Sequence, residues 1–329
     1  VTPFRTEIEI PKYPSSLGYN SNSIFLGSCF SDNIGNRFVK YKFPAQVNPF
    51  GVLYNPLSIE RAIDRLCNGK HYDETELFEH NSLYHSFDHY SKFSDGEISE
   101  TLGKINASFT TAQKAMPKLN CAFITLGTSF VFEHLQLKRV VANCHKLPDS
   151  TFNRYQLKLA EIEQSLTKSI ELLKSKSEHV EVVLTVSPIR HLKDGAVNNN
   201  WSKALLIAAC HNIIDKIDGV HYFPAYEIMM DDLRDYRFYE KDMLHPNQQA
   251  IDYIWQKMLT AFVVEDTQKV MHEIQKVVLA SQHRPMNVRS IVHQQFVMKQ
   301  LDVVKQLQEK FPFVDLNNEL EFFNEQIVA

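Results

Sequence analysis

Cysteine is scarce and unpatterned in this 329-residue chain. The five residues, Cys29, Cys67, Cys121, Cys144 and Cys210, are scattered, odd in number and form no C-x-x-C pair. That argues against a disulfide framework or a thiolate zinc cage and for reduced thiols in a cytoplasmic setting. Glycine is scarce too, with 10 residues and none after Gly219, which disfavours a loop-rich protein. Neither sign of charge dominates: the formal net charge is −4. No polyanion-binding surface is announced, so nucleic acid is not an expected partner. No apolar run approaches the length of a bilayer span, so a membrane is not expected either. Residues 1–7 contain no signal-peptide h-region. No internal repeat or low-complexity segment stands out.

What the chain does have is 22 Phe, 13 Tyr and 44% hydrophobic residues, enough for a normal core. One stretch organises it: Ser23-Ile24-Phe25-Leu26-Gly27-Ser28-Cys29-Phe30-Ser31-Asp32. Ile24, Phe25 and Leu26 end a buried strand, Gly27 allows a bend, and Ser31-Asp32 open a helix that runs to about residue 43. Such a corner exposes a serine hydroxyl at a sheet edge, beside helix N–H groups that lack partners.

Residues 5–12 alternate loosely, as an edge strand would. Residues 44–56 hold two Asn-Pro pairs and Gly51, and read as an ordered loop. A helix is expected over 57–67, with Ser58 as N-cap. Residues 70–100 are irregular, aromatic and rich in histidine, the mark of a functional loop or lid. A helix is expected over 101–118, a buried strand over 121–127, and a hairpin from 130–132 to 139–141. An amphipathic helix over 152–176 follows, with Leu159, Ile162, Leu166, Ile170 and Leu173 three or four residues apart. Then come a strand over 180–186, a loop through Asn198-Asn199-Asn200, a helix over 201–217 stopped by Gly219, and a short strand over 220–223. A helical turn over 227–233 follows, and Pro246 fits the first position of the next helix.

Strands at 23–27, 121–127, 180–186 and 220–223 alternate with helices. The alternation predicts an α/β fold, a three-layer α/β/α sandwich on a mostly parallel sheet. Its domain is expected over 1–262, with an aromatic insertion at about 70–100. Residues 263–329 read as a helical extension of two or three helices, broken at His283-Arg284-Pro285, that packs on the domain or joins copies into a homo-oligomer.

A parallel sheet presents its strands' C-terminal ends on one edge, where ligands bind. Ser28, Gly127, Ser187 and the loop Asp242-Met243-Leu244-His245 all fall at or after such ends. Serine-based acyl chemistry needs a base, a group that orients the base, and donors for the oxyanion. A spacing of three residues lets a tight loop bring Asp242 to His245 Nδ1 and turn the other ring nitrogen toward Ser28.

Beside Gly27-Ser28-Cys29-Phe30-Ser31 stand Phe4-Arg5-Thr6-Glu7, Asn48-Pro49-Phe50-Gly51, Ala142-Asn143-Cys144-His145-Lys146-Leu147-Pro148 and Ser187-Pro188-Ile189-Arg190-His191. Pro224-Ala225-Tyr226-Glu227-Ile228-Met229-Met230-Asp231 and Asp242-Met243-Leu244-His245-Pro246 complete the series. With these motifs the chain resembles the GSCFA-domain family over about residues 4–262, with Ser31 where the family name has Ala. That family is regarded as a branch of the SGNH/GDSL hydrolases, which implies a flavodoxin-like fold. It also implies Ser28 as nucleophile, His245 as base and Asp242 as its partner. The usual G-x-N-D block is replaced by Gly127-Thr128-Ser129-Phe130, without the asparagine, and Gly51 stands closest to the usual block II glycine. The oxyanion and substrate-binding set is therefore the Ser28 N–H with Asn48, Gly51, Gly127, Thr128, Ser129, Asn143 and His145. Losing one oxyanion donor costs on the order of 3 kcal/mol in the barrier.

His85 and His89, at the i, i+4 spacing of one helix face, either hold a metal with His80 or belong to an aromatic loop over a pocket. The second reading is preferred and no metal is assigned. His191, with Arg190, either binds a substrate carboxylate or phosphate or caps its strand. The expectation is a cofactor-free serine esterase or O-acyltransferase acting on a small-molecule or carbohydrate ester. The competing reading is an inactive binding or assembly protein on the same scaffold.

Overall fold

Residue alternation in the buried strands builds the layers. In β1 (Asn22–Gly27) Phe25 faces one side, and Ile24 and Leu26 face the other. In the neighbouring strand, residues 119–126, Phe123 joins the first side, and Ala122, Ile124 and Leu126 the second. Both faces are apolar because both are covered by helices. The computed structural model describes residues 5–14 and 16–328.

From the N-terminus, β1 leads into α1 (Cys29–Lys40), β2 (Ala45–Val47) and α2 (Pro56–Asn68). A hairpin of β3 (Phe78–His80) and β4 (Leu83–His85) precedes α3 (Ile98–Ala115) and β5 (Leu119–Leu126). A small antiparallel sheet of β6 (Phe130–His134), β7 (Arg139–Val141) and β8 (Phe152–Gln156) leads to α4 (Leu159–Lys176) and β9 (Glu181–Val186). Then come α5 (Gly195–Ile214), β10 (Val220–Tyr222), the short α6 (Ala225–Glu227) with a π-turn over Ile228–Asp232, and α7 (Gln248–Phe262). The chain ends in α8 (Glu265–Ala280), α9 (Ile291–Lys310) and α10 (Asn317–Glu325).

The central sheet has five strands in the order β10-β9-β5-β1-β2, all paired in parallel. The three-layer α/β/α expectation holds. Residues of α1, α7, α8 and α9 share one apolar cluster on one face, while α2, α3, α4 and α5 cover the other. From β1 the chain moves first to β2 on one side and later to β5 on the other. Strand order therefore reverses between β1 and β5, the place where an open α/β sheet forms its ligand crevice. Ser28 follows β1 and Gly127 follows β5.

Several local expectations are corrected. Residues 5–12 form no strand: the Ile8 N–H donates to Asp232 Oδ1 at 2.8 Å, and Lys257 bonds Glu7 and the Ile8 carbonyl, so the segment is tied away from the sheet. The loop over 44–56 contains β2, which is too short to show a period but registers Ser23 with Ala45 and Phe25 with Val47. Residues 152–156 belong to β8, and the helix begins only at Leu159, where the apolar spacing starts. Asn55, not Ser58, caps α2, accepting the Ser58 N–H at 2.9 Å. Pro246 lies before α7, which Asn247 caps. The Asn198-Asn199-Asn200 run is inside α5. Tertiary bonds offset its weak helix propensity: Asn199 accepts the His191 N–H and Asn200 accepts from Arg190, both at 2.8 Å.

Candidate active site

Gly27 sets the Ser28 corner. Its φ is 133°, and a Cβ there would stand 2.1 Å from the Thr125 carbonyl oxygen, so only glycine fits. The loop after β2 closes over it: Asn48 Oδ1 accepts the Gly27 N–H at 2.8 Å, and Leu53 donates to the Gly27 carbonyl at 2.8 Å. Ser28 is the N-cap of α1 and is fully buried. Its hydroxyl accepts from the Phe30 N–H at 3.3 Å. Among the described residues it makes no hydrogen bond to His245.

The expected oxyanion donors are mostly spent inside the fold. The Ser28 N–H donates to the Thr125 carbonyl at 3.1 Å, continuing the β1–β5 ladder. Asn48 uses its amide on Asp32 at 2.7 Å. The Gly51 N–H donates to the Asn48 carbonyl at 2.7 Å, and those of Gly127 and Thr128 to the Tyr54 carbonyl at 2.8 and 2.9 Å. Ser129 bonds Ser202 through both its N–H and its hydroxyl, and the Thr128 hydroxyl faces Ser202 as well. Among the described residues the Cys29 N–H, at the first position of α1, donates to no backbone carbonyl. It is one of the unpartnered helix N–H groups expected beside Ser28, though the sequence did not single it out. The Cys29 thiol is pushed up to about 11, chiefly by burial, and is neutral at physiological pH.

The Asp242–His245 loop is ordered as its spacing predicts. Asp242 Oδ1 accepts the N–H groups of Leu244 at 2.9 Å and His245 at 3.0 Å. Asp242 Oδ2 accepts from His245 Nδ1 at 2.7 Å. These bonds, the His245 backbone N–H first, lower the Asp242 carboxyl to about 2 and keep it ionised. With Nδ1 so engaged, the tautomer is fixed and Nε2 is the free edge. Both side chains remain nearly half exposed. Met243 takes a left-handed φ of 59° to close the turn, and the Arg190 N–H donates to the Leu244 carbonyl at 3.1 Å. That bond ties the loop to the segment after β9.

His191 lies on this segment. Its ring meets Tyr54 edge-on at 5.4 Å, and its Nε2 is buried without a partner among the described residues. Burial first, then the charges of Lys203 and His245, lower it to about 4. Lys203 went unnoticed in the sequence. It extends from α5 and donates to the Gly127 and Ser187 carbonyls, each at 2.7 Å, bridging the ends of β5 and β9. It is fully buried, which lowers it to about 7. The signal available was a lysine opening an apolar helix stretch, Lys203-Ala204-Leu205-Leu206-Ile207-Ala208-Ala209.

The histidine-rich region does not share a helix face. His85 ends β4, and His89 sits in the turn beyond it. His85 bonds Ser94 at 2.7 Å and the His80 carbonyl at 3.1 Å. His145 meets the Ser86 carbonyl at 2.8 Å and packs against the His85 ring at 4.4 Å. Asn143 accepts the His145 N–H at 2.9 Å and reaches Ser91 at 3.3 Å. His85, Asn143 and His145 thus clamp the 86–95 and 142–147 segments together, whereas His89 bonds Ser86 at 3.0 Å within its own segment, packs against Phe50, Tyr72 and Phe93, and has a buried Nε2 with no partner among the described residues. Among the described residues no group of three or more His, Cys, Asp or Glu side chains is placed to hold a metal.

A cavity of about 560 Å³ adjoins the Asp242–His245 loop, walled by Arg190, Met229, Met230, Leu233, Tyr239 and Met243, among others. No helix among the described residues is long and apolar enough to cross a membrane. Two family models match the chain: the GSCFA family over residues 22–258, and the GSCFA domain protein, C-terminal domain, over residues 274–329. No curated protein matches it.

Proposed function

This chain belongs to the GSCFA family, and from that premise we propose that it is a serine esterase or O-acyltransferase of the SGNH/GDSL type. The observation that carries the reading is the Asp242–His245 pair. An ionised carboxylate, fixed by two backbone N–H groups, holds Nδ1 of an imidazole whose other nitrogen is unengaged among the described residues. That is the arrangement a general base requires. Ser28 stands at the same edge of the sheet, beside the β1/β5 reversal.

In the proposed reaction His245 Nε2 takes the Ser28 proton as Oγ attacks the acyl carbonyl. The tetrahedral oxyanion is met by the Cys29 N–H at the start of α1. The carbon–oxygen bond to the leaving alcohol breaks, and His245 returns the proton to that alcohol. Water or an acceptor hydroxyl then attacks the acyl-enzyme with His245 again as base, releasing acid or new ester and restoring Ser28. In this resting state Ser28 Oγ is turned to Phe30, and catalytic hydrogen bonds often tighten only when substrate binds. Fluorophosphonate labelling of wild type and Ser28→Ala tests the proposal. Label on wild type alone is expected. Equal labelling of both proteins refutes the assignment.

A second reading, a binding protein on a hydrolase scaffold, is favoured by the burial of Ser28 and by the internal use of its N–H. It predicts no labelling of either protein.

A further inference from the structure

The cavity beside the Asp242–His245 loop has a lining that is chemically lopsided. Met229, Met230, Leu233, Tyr236 and Met243 make it apolar and adaptable. Its volume, about 560 Å³, is that of a small-molecule site. Into this apolar lining comes Arg190. Asn200 Oδ1 holds one end of its guanidinium at 2.8 Å. The nearest acceptor for Nη1 is the Met230 thioether at 3.7 Å, a weak one. Nε is buried and has no partner among the described residues. The Tyr239 hydroxyl also faces the guanidinium.

The neighbouring charges are already matched. Arg234 pairs with Asp231 at 2.5 Å, and Asp235 with Arg237 at 3.4 Å. Arg190 makes no ion pair among the described residues. A buried donor on a permanent cation, left facing a thioether, is costly unless something arrives to accept from it. Arginine matches carboxylate and phosphate groups with two parallel N–H bonds.

We infer that this cavity binds an amphipathic anion: an apolar body against the methionines and tyrosines, and one carboxylate or phosphate on Arg190. Given the proposed esterase reading, on which this step rests, the substrate is an ester that carries its own anionic group. The cavity starts at Met243, inside the Asp-x-x-His turn, so a ligand held there lies next to the base.

Binding is tested apart from turnover, on full-length Ser28→Ala protein, by calorimetric titration with octanoate, octyl phosphate and octanol. At least one anion is expected to bind ten-fold or more tightly than octanol. The tighter anion identifies the head group. Arg190→Met should bring that anion to the level of octanol while octanol binding stays unchanged. Ala196→Trp, at an exposed position on the cavity wall, should abolish binding of all three and guards against misfolding of the arginine variant. Octanol binding as tightly as both anions, a preference that survives Arg190→Met, or no binding of any probe overturns the inference. None of these outcomes depends on whether Ser28 reacts with a fluorophosphonate.

Discussion

At the Ser28 corner the N–H, the carbonyl and the hydroxyl each have a partner, whereas at the Asp242–His245 turn the outer ring nitrogen has none among the described residues. The first region is buried and built from the sheet ladder and a helix cap. The second is exposed and built from a four-residue turn. A ladder position satisfies its groups whether or not a ligand comes. A turn that spends one side of a histidine on a carboxylate leaves the other side for chemistry. On the proposed reading, His245 is the group that is ready at this edge, and Ser28 has to change its hydrogen bond.

The sharpest way to break this comparison is His245→Ala. On any ester the protein turns over, kcat should fall by on the order of 10³-fold. The melting temperature should stay within about 2 °C, because the side chain is exposed and its loop is held by backbone bonds. Unchanged kcat would remove the turn from the chemistry.

Lys203→Met probes the buried side. It leaves the Gly127 and Ser187 carbonyls without their donor, and urea unfolding should show a loss of about 2 kcal/mol. A stability equal to wild type would mean that the strand ends do not need the bridge.

The last prediction concerns acid. Burial lowers His89 to about 3 and His145 and His191 to about 4. Unfolded histidines take up protons below about pH 6.5, while these three stay neutral in the fold. The unfolded state then binds more protons, so stability falls as pH drops from about 6.5 toward 4. Each proton contributes up to about 1.4 kcal/mol per pH unit to that slope. His145→Gln should flatten the slope of unfolding free energy against pH. An unaltered slope would mean that His145 does not take part.

Much of the architecture was legible. Four buried strands separated by amphipathic helices are enough to write a parallel sheet, because a strand covered on both faces must be apolar throughout. The Asp242–His245 turn was legible because the bonds that pair its carboxylate and imidazole are local: three residues of spacing and one left-handed residue suffice. What escaped detection depended on partners outside the stretch being read. Strand β2 exists only through pairing with β1. The Asn198-Asn199-Asn200 run lies in a helix, with the side chains of Asn199 and Asn200 bonded by His191 and Arg190. Histidines 85 and 145 invited a site, yet their ring nitrogens are largely spent holding two segments together, and no spacing rule reports that.

The glycine-serine corner itself shows the division. Local sequence set a bend at residue 27 and a serine that starts a helix, since turns and caps act over a few residues. The need for glycine came from the fold, where a Cβ would strike the Thr125 carbonyl of β5, and so did the use that serine's neighbours make of their hydrogen bonds. The Ser28 N–H goes to Thr125, the Asn48 side chain to Gly27 and Asp32, and the Lys203 ammonium to two strand ends. A buried polar group must be satisfied by whatever the fold brings within about 3 Å, and that choice is made across the sheet, not along the chain.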